Sequence, residues 1–92
     1  MPPAVRPPPQ GPAVKRVLLY TMEGNADGEA ALAFFQARGM RVDVRDVGRE
    51  GEATLECFDL TGRLAVPTVV IDGRVFFGFA ANREAIEPLL HS

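Results

Sequence analysis

Few residues in this 92-residue chain have side chains that could do chemistry. Cys57 is the only thiol and His91 the only imidazole. A lone cysteine can make no internal disulfide, so redox work by this chain would need Cys57 together with a partner's thiol. The bland reading of Cys57 is a small apolar residue on the inner face of a helix, in line with Ala53 and Leu60. His91 is next to the C-terminus and has no second ligand residue beside it, so no metal is expected. The other chemically suggestive feature is backbone. Pro67 opens a run of β-branched residues, Val69-Val70-Ile71. A proline cannot donate to a ladder, so it belongs at a strand's first position, and it holds Val66 extended. Two readings follow: Val66 offers a free N–H and C=O to an extended ligand, as in strand addition, or Pro67 is a trans proline opening an ordinary strand.

The elements that must position these groups can be read along the chain. Residues 1–14 contain six prolines, Pro2, Pro3, Pro7, Pro8, Pro9 and Pro12, and read as a disordered or polyproline tail ahead of a single domain over 15–92. Val17 to Tyr20 is a continuous apolar run, which suits a strand buried on both faces. A polar turn, Met22 to Asp27, leads to a helix over Glu29 to Arg38, with Ala30/Phe34 and Ala31/Phe35 at helical spacing and Gly39 as its stop. Arg41 to Asp46 alternates and reads as a half-exposed edge strand. Glu50 to Leu60 is a second helix, with Ala53, Cys57 and Leu60 on an inner stripe that Leu55 and Phe58 widen. Thr68 to Ile71 and Arg74 to Phe77 are strands joined by an Asp72-Gly73 turn. Asn82 then reads as the N-cap of a last helix that carries Ile86, Leu89 and Leu90 inward, with Pro88 loosening its final turn.

This βαβαββα order is α/β, with a four-stranded mixed sheet and helices on both faces. Strand, helix, strand with short links is a parallel crossover. The stretch Ala65-Val66-Pro67, Asp72-Gly73 and Gly78-Phe79 resembles, in order and spacing, the second half of a glutaredoxin, within the thioredoxin-like fold. The resemblance extends from Val17 to Leu90. It implies a cis bond before Pro67 and a ligand groove formed by Thr21, Val66, Pro67, Gly78 and Phe79. It also implies where the redox cysteines would stand. Aligning Tyr20-Thr21 with the family's tyrosine-threonine puts Asn25 and Gly28 at the two Cys-x-x-Cys positions. Neither is a nucleophile, so glutaredoxin-type oxidoreductase activity is not expected and there is no catalytic residue to assign. Asn25 or Asp27 is expected to cap the first helix instead. The lysine that the family often carries before its first Cys is replaced by acidic Glu23. The aspartate that often follows Gly-Phe is replaced by Ala80-Ala81. No cofactor is therefore expected, and glutathione binding at most weakly, through the backbone part of the groove.

The implied function is a redox-inactive, glutaredoxin-like binding or regulatory module whose partner is a protein or thiol peptide. The alternatives are an atypical oxidoreductase or redox sensor working through Cys57, and a structural dimerisation subunit packing on Val75, Phe76 and Phe77. A formal charge of −2 with scattered arginines argues against nucleic acid. No apolar run is long enough for a membrane span and the N-terminus has no signal-peptide core, so a cytoplasmic location is the expectation.

Overall fold

The computed structural model describes residues 16–91; the proline-rich head, 1–14, lies outside the described residues. The elements are β1 (Arg16–Thr21), α1 (Ala26–Ala37), β2 (Arg41–Asp46), α2 (Gly51–Thr61), β3 (Thr68–Ile71), β4 (Arg74–Phe77) and α3 (Arg83–Ile86). A 3-10 turn over Ala80–Asn82 precedes α3, and another over Glu87–His91 follows it. The four strands lie in the order β2-β1-β3-β4. β1 runs parallel to β2 and antiparallel to β3, and β3 antiparallel to β4. The mixed sheet and βαβαββα order are those that the sequence implies.

β1 is central, so its alternate residues serve two cores. Val17 and Leu19 join Ala31, Phe34, Phe35, Val69, Ile71, Phe79 and Ile86 beneath α1 and α3. Tyr20 joins Val47, Ala53 and Cys57 beneath α2, with Leu18, Val66 and Val70 packed alongside. The Asp72-Gly73 turn has φ of 52° and 79°. Positive φ at both central residues is what a type I′ hairpin needs.

Three details differ from the sequence reading. α1 begins at Ala26 rather than Glu29, because Asn25 supplies a cap three residues earlier. Leu60 is not on the buried stripe, and Leu55 and Phe58 do not widen it: they are 52%, 68% and 55% exposed. Only Ala53 and Cys57 of α2 are buried, because α2 lies on the sheet along a narrow stripe. Asn82 does not cap α3 through its side chain; its Nδ2 donates instead to the carbonyls of Phe77, at 2.7 Å, and Gly78, at 2.9 Å. The last helix does loosen at Pro88, as expected. Its α-helical part ends at Ile86 and a 3-10 turn carries Pro88, as a residue without an N–H to give to the preceding turn requires.

Tyr20 ties the second core to the surface. Its hydroxyl, on a fully buried ring, donates to Glu56 Oε1 at 2.7 Å. Glu56 Oε2 in turn accepts from Arg45 at 3.2 Å, and Arg45 lies 3.7 Å from Glu50. Burial first, and then the Glu56 hydrogen bond and charge, push the Tyr20 hydroxyl well above the ordinary tyrosine value. The raised native value favours the protonated, folded form below about pH 10, where unfolded tyrosine titrates, and that stability is lost as pH rises beyond it. The chain has a single tyrosine, so tyrosinate absorbance reports this group alone. Native protein at a pH between about 10.5 and 11 should show little tyrosinate signal, and adding denaturant should release it. Full ionisation in the native state at the ordinary value would contradict the buried Tyr20–Glu56 contact.

Candidate functional site

Three loops meet at the C-terminal end of β1. The first is the β1–α1 turn. Met22 O accepts the Asn25 N–H at 3.0 Å and closes it. Asn25, extended at φ −82° and ψ 108°, is the N-cap of α1. Its Oδ1 accepts the Gly28 N–H at 2.6 Å, which fills one of the orphan donors of the first turn. Gly28 is buried, and a Cβ there would collide with Thr21 Oγ1 and lie 3.2 Å from Asn25 Oδ1. Thr21 Oγ1 is itself buried and has no hydrogen-bond partner among the described residues.

The second loop leads into β3. The Val66–Pro67 peptide is cis. Pro67 is buried, and Thr68 Oγ1 donates to Ala65 O at 2.6 Å, fixing the bend just before it. β1 and β3 pair as Leu19↔Val69 and Tyr20↔Thr68. The pairing ends there, one residue after Pro67. Among the described residues, neither the N–H nor the C=O of Val66 makes a hydrogen bond. Its side chain is half-buried against the core that contains Cys57.

The third loop is the exit from β4. Gly78 has φ 91°, a conformation that glycine adopts without strain, and its N–H donates to Pro67 O at 2.7 Å. Phe79 is 3% exposed, with its ring 5.1 Å from Phe34 and 5.8 Å from Phe35, centroid to centroid. Its N–H donates to Asp27 Oδ2 at 2.8 Å, and the Ala80 N–H donates to Asp27 Oδ1 at 3.1 Å. A hydrogen-bonded path thus runs from Pro67 through Gly78 and Phe79 to Asp27 and the first turn of α1.

Thr21, Val66, Pro67, Gly78 and Phe79, drawn from distant parts of the sequence, therefore lie on or beside three loops at this end of β1, with Gly78 bonded to Pro67 and Phe79 buried in the core. Asp27 does not act as the helix cap, a role that falls to Asn25. It spans 52 residues of sequence instead to hold the Phe79 turn. Nothing in the local pattern shows that contact, since an acid in the first turn of a helix also reads as a partner of the helix dipole.

Cys57 lies in the core on which the Val66 side chain packs. It is 0% exposed, and its Sγ lies 3.6 Å from Arg63 O and 3.9 Å from Thr61 Oγ1. An oxidoreductase working through Cys57 needs an accessible sulfur, and this geometry provides none. A thiol reagent should label Cys57 slowly in native protein and at the rate of a free cysteine in denaturant; equal rates would show that α2 opens readily. Among the described residues, no group of three or more His, Cys, Asp or Glu could hold a metal ion, and no helix is long and apolar enough to cross a membrane.

No protein-family model matches the chain, and no curated protein does. Solved structures do. The thioredoxin-like protein BC3987 superposes with a TM-score of 0.72 at 26% identity, over 80% of this chain and 99% of that one. The glutaredoxin of Archaeoglobus fulgidus superposes with a TM-score of 0.69 at 20% identity, over 83% and 86%. A buckwheat glutaredoxin in complex with glutathione gives 0.64 at 19% identity, over 83% and 76%. The chain thus has the thioredoxin-like fold, in the form glutaredoxins share. It is a glutaredoxin-fold protein with a single cysteine, and so without the cysteine pair of a classical dithiol oxidoreductase.

Proposed function

We propose that this chain is a non-catalytic binding or regulatory module that takes an extended partner segment along Val66, in the cleft between the Pro67, Gly78-Phe79 and Asn25 loops. The observation that carries this reading is that, among the described residues, neither the N–H nor the C=O of Val66, just ahead of β3, has a hydrogen-bond partner. An unpaired donor and acceptor on one residue just ahead of a strand can start a ladder with an incoming strand. The groove residues are Thr21, Val66, Pro67, Gly78 and Phe79. On the alignment that the glutaredoxin resemblance implies, Asn25 and Gly28 stand at the two cysteine positions, and the helix start survives there as structure, capped by an amide rather than bearing a thiolate. The buckwheat relative of the same fold holds glutathione; for this chain we propose at most weak binding, since neither a thiol nor the flanking lysine is in place.

The test has two arms. In a glutathione-coupled disulfide assay, turnover should equal the no-protein blank. Turnover above it that Cys57→Ser abolishes would establish the oxidoreductase reading instead. In an anisotropy titration, labelled extended peptides should bind saturably, and N-methylation of the peptide amide that pairs with Val66 should weaken binding about ten-fold or more, as losing a well-placed hydrogen bond in a dry groove does. Peptides whose binding ignores N-methylation at every position would contradict strand addition.

A further inference from the structure

The cleft has an internal occupant. The N–H groups of Phe79 and Ala80 converge on the Asp27 carboxylate, at 2.8 Å and 3.1 Å. Convergent backbone N–H groups of this kind receive carboxylates and phosphates from ligands. Here a side chain of the same chain fills the position, and its negative charge stays at the cleft wall. The rim adds more of the same sign. Glu23, on the β1–α1 turn, is 74% exposed in its side chain, and Asp46 and Glu50 flank the β2–α2 turn. The cations nearby are already engaged. Arg49 holds Glu23 at 2.9 Å, Arg45 lies between Glu50 and Glu56, and the Arg63 guanidinium lies 4.4 Å from the Phe77 ring centroid.

Resting on the groove reading above, we infer that Asp27 is the specificity-determining residue of the cleft: by filling its backbone anion position from within, it selects an extended peptide segment carrying Arg or Lys and turns away carboxylate-bearing ligands such as glutathione. A ligand carboxylate entering beside Phe79 finds its donors taken and meets the Asp27 charge. A guanidinium or ammonium there meets the Asp27 carboxylate, whose two oxygens each have more than one acceptor site and so retain capacity beyond the Phe79 and Ala80 N–H groups. Backbone pairing at Val66 is indifferent to charge, so it supplies affinity while Asp27 supplies the choice of partner.

The experiment uses the full chain with two capped extended peptides of equal length, identical except that one carries Arg and Lys where the other carries Glu and Asp, and with glutathione as a third ligand. The basic peptide should bind wild-type protein about ten-fold or more tighter than the acidic one, the size of step that unit charges a few ångströms apart at a protein surface support. Glutathione should bind more weakly than either. Asp27→Asn keeps one acceptor oxygen for the Phe79 N–H and should bring the two peptides to within about three-fold of each other. Raising salt should narrow the wild-type gap in the same direction, a reading that needs no variant. Equal binding of the two peptides to wild type, or a gap that neither Asp27→Asn nor salt changes, overturns the assignment of Asp27 while leaving the groove in place. Binding of neither peptide overturns the groove reading itself.

Discussion

The Asn25→Cys/Gly28→Cys variant, which places a cysteine pair at the start of α1, is expected to lose about 2–4 kcal/mol of stability. The larger share comes from Gly28. Its would-be Cβ collides with Thr21 Oγ1 and sits 3.0 Å from Thr21 Cβ, and forcing a side chain into so filled a site costs about 1–3 kcal/mol. The remainder is the cap. Removing the Asn25 Oδ1 that accepts the Gly28 N–H at 2.6 Å costs about 1 kcal/mol. Urea unfolding should place the double variant well below wild type and Asn25→Cys alone only slightly below it. Adding Thr21→Ala should recover a measurable part of the loss, because it removes the colliding oxygen. A double variant as stable as wild type would mean that Thr21 simply turns aside, and the tightness at Gly28 would carry no consequence.

Phe79→Ala is expected to cost about 3–5 kcal/mol, the range for removing a buried aromatic ring. Phe79 is 3% exposed and closes an aromatic triad with Phe34 and Phe35, whose own rings lie 5.3 Å apart. The same residue donates its N–H to Asp27, so core and cleft share it. Phe79→Leu retains most of the apolar volume and should cost less than about 1.5 kcal/mol. The two variants separate packing from hydrogen bonding, because both keep the N–H. If Phe79→Ala unfolds at nearly the wild-type urea concentration, the triad is not what fixes the wall of the cleft.

The order of elements was legible because each strand announces itself. Val17 to Tyr20 is unbroken and apolar, Arg41 to Asp46 alternates, and Asp72-Gly73 is a turn that few other dipeptides make as well. Pro67 and Gly78 were legible as positions that constrain the backbone whatever surrounds them. Contacts between side chains far apart in sequence were not legible. Asp27 to Phe79 and Tyr20 to Glu56 depend on how α1 and α2 settle on the sheet, and no local spacing encodes that. The burial of α2 was misread for a related reason. Leu55, Phe58 and Leu60 are apolar, but composition does not reveal how narrow a stripe the sheet covers. Asn82 shows the same limit, as a cap residue by type whose amide instead binds the end of β4.

The central claim is that a partner strand pairs with Val66. The most direct measurement is of intermolecular nuclear Overhauser effects between isotope-labelled protein and an unlabelled, saturating extended peptide. The account predicts cross-strand contacts from the peptide Hα protons to the Val66 amide, with neighbouring contacts at Thr21 and Gly78. Contacts confined to the exposed Leu55 and Phe58 of α2, with the Val66 amide untouched, would contradict it.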